Sequence, residues 1–126
     1  MIFPFLQLFG RSKQIERLGD AFRIAGVHPR LVPDAVLMTV LRLLKTSGRD
    51  DGPEACAEAA DFVAYLMLGG AAFSEARGPD HVARVEARLE AALEAGDGLD
   101  AELVLLALHA GLIHARVLKA YQIDAS

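Results

Sequence analysis

The stretch LVLLALHAGLIHARVLKAY, residues 103–121, is the most apolar run of the chain and decides how the rest is read. At about 100° per residue it forms one long helix with two unlike sides. Glu102, Leu105, His109, Leu112, Arg116 and Lys119 share one sector, and Leu103, Ala107, Ala110, His114, Val117, Leu118 and Tyr121 share the opposite one. The pattern predicts a last helix capped by Asp100, apolar nearly all round, and placed at the centre of a bundle or at an interface.

Two histidines lie on this run, and their spacing separates them by more than about 90° on the helix, so they cannot chelate one metal together. His109 belongs to the polar sector, where it faces water or an interface. His114 sits in the middle of the apolar sector. It reads first as a buried side chain whose ring nitrogen is satisfied by a backbone carbonyl or by the hydroxyl of Tyr121 or Tyr65. The sharper alternative is a small pocket in which His114, Tyr121, Tyr65 and Asp61 meet a ligand.

The remaining segments are punctuated by proline and glycine. Ser12 can cap a helix over residues 13–25, with Ile15, Leu18, Phe22 and Ala25 at helical spacing; Gly26 stops it and Pro29 keeps it stopped. Pro33 opens a second helix whose Val36, Leu37, Val40, Leu41, Leu43 and Leu44 form a broad apolar face. Pro53 opens a third, PEACAEAADFVAYLML, which Gly69-Gly70 either ends or opens to a close backbone approach. Pro79 opens a fourth, with Val82, Val85, Leu89 and Leu93 as a narrow stripe on the outside of the bundle. No segment alternates with period two. The expectation is therefore a single all-α domain over residues 1–126, a compact orthogonal or up-down bundle of about five helices with no sheet.

Composition agrees with helices. The chain has 126 residues, 53% of them hydrophobic, with no tryptophan and only six phenylalanines and two tyrosines, so Leu, Val and Ala must fill the core. One cysteine, Cys56, cannot form an internal disulfide, which fits a reducing cytoplasm. Residues 1–49 carry eight Lys/Arg against three Asp/Glu, a balance of +5, while residues 50–126 carry five against fourteen, a balance of −9. Such halves attract each other within one fold or between subunits, and the acidic half argues against nucleic acid as a partner.

Chemistry is sparse. Glu54, Glu58 and Asp61 fall on one side of the third helix, yet no histidine joins them at metal-ligand spacing, so they read as a solvated acidic face. Asp80 suits the positive end of a helix dipole, and His81 beside it points about 100° away. Cys56 has acidic rather than cationic neighbours and reads as a packing residue. No catalytic residue, metal or cofactor is expected. The preferred expectation is a non-enzymatic, cytoplasmic interaction module, homodimeric or docked on another protein, with Glu102, Leu105, His109, Leu112, Arg116 and Lys119 as the interface. The alternatives are a small-ligand binder or enzyme around His114, and a peripheral membrane protein held by the apolar segment MIFPFLQLF. That segment, within residues 1–11, is too short to span a membrane and is expected to pack on the bundle or on a partner.

Overall fold

The computed structural model describes residues 2–48 and 52–124, with the backbone alone over residues 2–12. These residues form seven α-helices and no strand: α1 (Ile2–Ile24), α2 (Asp34–Thr46), α3 (Pro53–Leu68), α4 (Gly70–Arg77), α5 (Pro79–Ala95), α6 (Leu99–His109) and α7 (Ala115–Ala120). A single 3-10 turn, Pro29–Leu31, joins α1 to α2. The all-α class agrees with the sequence pattern, and the count exceeds the expected five because two apolar runs are each broken in two.

Helix α3 is the centre. It packs against α1, α2, α4, α5 and α6, and every residue from Ala59 to Leu66 is buried. Its small side chains explain this position. Ala55, Cys56, Ala59, Ala60 and Ala64 let neighbouring helices approach on several sides, and Phe62 and Leu66 fill the spaces between. Helix α1 lies along α3 and contributes Leu18 and Phe22, with Ala25 directly after its end, all wholly buried. It does not begin at Ser12 as expected, because its backbone is already helical from Ile2. The side chains of the apolar segment 1–11 lie outside the described residues. Helix α2 buries Val36, Leu37, Val40, Leu41 and Leu44, and α5, packed against α3, α4 and α6, buries Val85, Leu89 and Ala92.

The run 103–121 is not one helix. Gly111, with φ of 70°, ends α6 in the left-handed conformation that glycine adopts without strain. The Gly111 N–H donates to the Leu108 carbonyl at 3.1 Å and the Leu112 N–H to the Ala107 carbonyl at 2.9 Å, which is a Schellman closure. The chain then turns, the His114 N–H donates to the Leu66 carbonyl of α3 at 2.7 Å, and α7 begins. A single wheel through residue 121 therefore fails beyond Gly111. The same closure ends α1, where the Gly26 N–H reaches Arg23 and the Val27 N–H reaches Phe22. Nor does Asp100 cap α6: Gly98 is the capping residue, and Asp100 lies in the first turn.

Candidate functional site

The polar side chains of α3 form the best-defined cluster. Glu54, Glu58, Asp61 and Tyr65 recur at i, i+4, i+7 and i+11, which on an α-helix is one stripe. The far end of that stripe meets α4 and α5 instead of water. Asp61, expected on a solvated face, is the one buried charged residue among those described. Both of its carboxylate oxygens are engaged by Arg77 of α4, Nε to Oδ1 at 3.1 Å and Nη2 to Oδ2 at 3.2 Å. Arg77 Nη2 also lies 2.8 Å from His81 Nε2 on α5, so with the guanidinium as donor the imidazole accepts. His81 thus has a partner that its sequence position did not suggest.

One turn further along, the Tyr65 hydroxyl donates to Glu86 Oε2 at 2.8 Å and stands 3.5 Å from the Tyr121 hydroxyl. Burial, and then these hydrogen bonds, push the Tyr65 phenol well above the ordinary tyrosine range, so it keeps its proton. Its ring meets Phe73 of α4 edge-on, with centroids 5.9 Å apart. Towards the start of α3, Arg88 of α5 donates to the Glu58 carbonyl at 3.0 Å, holds Asp100 of α6 through two hydrogen bonds of 2.8 and 3.0 Å, and lies 4.7 Å above the Phe62 ring. Four helices are clamped by these pairs. Among the described residues no buried side-chain nitrogen or oxygen lacks a partner, and no three His, Cys, Asp or Glu side chains are grouped to hold a metal.

His114 is exposed, not buried. Its ring Nδ1 accepts from the Arg116 N–H at 3.0 Å and caps α7, as His28 Nδ1 caps the 3-10 turn by accepting from the Arg30 N–H at 3.1 Å. Of the four residues expected to share a ligand pocket, Tyr65 and Tyr121 meet, Asp61 is locked to Arg77, and His114 caps α7 through Nδ1. The expected interface residues divide as well. Glu102, Leu105 and His109 are exposed along α6, Leu112 is half-buried against the core, and Arg116 and Lys119 are exposed on α7. They do not form one helical stripe, because Gly111 intervenes.

Two clefts flank the Asp61–Arg77 pair and share Ala57 with it. The smaller, of about 210 Å³, is edged by Glu54, Glu58, His81, Arg84 and Arg88. The larger, of about 490 Å³, is bounded by Lys13, Glu16, Arg17, Asp20 and Ile24 of α1. A third, of about 520 Å³, lies on the far side of α1 against Pro29, Val32 and Leu37. Neither Tyr65, Tyr121 nor His114 lines any of the three. Sequence patterning missed Arg77, Arg88 and Glu86 because each looked like an ordinary charge on the exposed side of its own helix. Only the packing of α4 and α5 onto α3 reveals their partners. No family model matches this chain, and no curated protein or solved structure matches it either.

Proposed function

We propose that the protein is a non-enzymatic helical interaction module that works by associating with a second copy of itself or with another protein. The observation that supports this most is the outer surface of α1. Lys13, Glu16, Arg17, Asp20, Arg23 and Ile24 are exposed along it, and an open cleft runs on either side. A ridge between two grooves is the shape on which another helix packs. Ile24 at the end of the ridge is 64% exposed, and Leu31 in the following turn is 66% exposed.

A small-ligand binder or enzyme around His114 finds less support. The His114 Nδ1 serves as a cap, the Tyr65 phenol holds its proton between Glu86 and Tyr121, and Asp61 is neutralised by Arg77. Among the described residues, Tyr65, Tyr121 and His114 line none of the three clefts described above. A peripheral membrane role rests on residues 1–9, whose side chains lie outside the described residues; no described helix is long and apolar enough to cross a membrane. A cytoplasmic setting, suggested by the single thiol, belongs to the same proposal. Sedimentation equilibrium across a wide concentration range tests it. A reversible dimer is the expected outcome. A chain that stays monomeric and that co-purifies with no stoichiometric protein from its native cell overturns the reading.

A further inference from the structure

A fourth cleft, between α1 and α2, carries charge of one sign only. It holds about 480 Å³ over a floor of Ile15, Met38 and Leu41, with Arg42 and Lys45 at its edge and no carboxylate among its described lining residues. Met38 and both cations are exposed. Among the described residues, neither the Arg42 nor the Lys45 side chain enters an ion pair or a hydrogen bond. The chain presents a surface of the opposite kind at the end of α5. Glu90, Leu93 and Glu94 follow at i, i+3 and i+4, all exposed, with Asp97 just past the helix. The last turn of α5 has no basic residue, so Glu94 sits where the helix dipole favours a cation. Neither glutamate has a partner among the described residues. The ion pairs of Asp20, Asp61 and Asp100 each join an arginine from the same half of the sequence, 1–49 or 50–126, and leave these four opposite charges on the surface.

Resting on the self-association proposed above, we infer that the end of α5 from one copy lies in the α1–α2 cleft of a second copy. Leu93 covers Ile15 and Met38 of that copy, and Glu90 and Glu94 face its Arg42 and Lys45. The two glutamates rise about 6 Å apart along their helix and the two cations about 4.5 Å apart along theirs, a difference that long side chains absorb. The occupant follows from the chemistry of the cleft, which suits an apolar side chain set between acidic ones. A nucleic acid would bring the negative charge but nothing apolar for the floor. An anionic bilayer takes up apolar side chains that project from a protein, and here they line a hollow. The two surfaces are unlike, so a closed pair contains the contact twice, each copy giving one helix end and one cleft. Leu41 and Leu89 stay in their own core, so pairing needs no unfolding.

Mixing two variants supplies the test. Arg42→Glu with Lys45→Glu makes the cleft acidic, and Glu90→Lys with Glu94→Lys makes the helix end basic. Sedimentation equilibrium of the intact chain should show each double variant alone loosening the dimer at least tenfold. An equimolar mixture should return to within a few fold of the parent, because the altered cleft accepts the altered helix while the two unaltered surfaces still fit. Leu93→Ser changes no charge and should also loosen the parent. Circular dichroism should show every variant folded, because these positions are exposed. Charge variants that keep the parent's dissociation constant overturn this contact while leaving self-association standing. Loosening without recovery in the mixture, or a Leu93→Ser variant as tight as the parent, overturns the pairing of these two surfaces. Phosphatidylglycerol vesicles that bind the parent but not the Arg42→Glu, Lys45→Glu variant, with charge variants that dimerise as the parent does, assign the cleft to an anionic lipid surface instead. A monomeric parent overturns both this contact and the self-association it rests on.

Discussion

Helix α3 and the segment from Leu99 to Ala120 are both rich in apolar residues, yet one became the axis of the fold and the other a bent outer layer. Helix α3 carries small side chains on several sides, no glycine before residue 69, and a proline at its first turn. It can therefore be surrounded. The later segment is heavier in leucine, carries Gly111 at its middle, and is cut there into α6 and α7. Total hydrophobicity did not choose the central helix. The distribution of small residues and the position of one glycine did.

The largest effect that separates the two regions should come from truncating a side chain in each. Phe62 of α3 is wholly buried, surrounded by core residues and covered by the Arg88 guanidinium. Phe62→Ala should cost about 3–5 kcal/mol, from lost burial and from the cavity left among helices that cannot all close in. Leu105 of α6 is 51% exposed, so Leu105→Ala should cost no more than about 0.5 kcal/mol. Urea unfolding of both variants measures the contrast. Equal losses would mean that α3 is not the centre.

These differences also show what the sequence could reveal. The helical class, the breaks at Pro29, Pro33, Pro53 and Pro79, and the buried face of α2 were all legible, because proline and apolar spacing act locally. The first glycine closure was legible too, since Pro29 reinforced Gly26. Gly111 has no proline after it, and the apolar pattern ran across it unbroken, so a helix was expected there. In both places the pattern is Ala-Gly, one or two aliphatic residues, then a capping His with Arg two residues on: AGVHPR at 25–30 and AGLIHAR at 110–116. Comparing the two would have located the second break. The meeting of Tyr65 with Tyr121 was expected, but Arg77 as the partner of Asp61 and Glu86 as the acceptor for Tyr65 were not legible, because they reach across the packed interfaces of α3 with α4 and α5.

A middle-sized effect should appear in alkali. Tyr65 on α3 is held protonated by burial and by its neighbours, while in the unfolded chain its phenol ionises near pH 10. The folded-state value is the higher one, so this contribution is fully present below about pH 10. Above that the unfolded state releases a proton that the native state retains, and stability falls by about 1.4 kcal/mol for each pH unit until the buried phenol itself ionises. Tyr65→Phe should flatten this part of the stability profile, even though it lowers stability at neutral pH by leaving Glu86 without its donor. Tyr121, half-buried on the α7 side, is the control. Tyr121→Phe should leave most of the alkaline slope in place. A slope that survives Tyr65→Phe would remove the phenol as its source.

The smallest effect concerns Gly111 and asks whether the break in the apolar run is imposed by the backbone or only permitted by it. Nothing lies within 4 Å of where a Cβ on Gly111 would stand, so Gly111→Ala meets no steric clash. Its whole cost is the left-handed φ, about 1 kcal/mol. Were α6 and α7 able to merge into one helix, alanine would favour that form and helix content would rise. Three contacts oppose the merger: the His114 N–H on the Leu66 carbonyl, the burial of Val117, and the approach of Tyr121 to Tyr65. Each depends on the turn at Gly111, and together they outweigh one residue's strain. Gly111→Ala should therefore lower stability by about 1 kcal/mol with unchanged far-ultraviolet circular dichroism. A rise in helicity with no loss of stability would show that the sequence favours a continuous helix and that α7 is held bent only by its contacts.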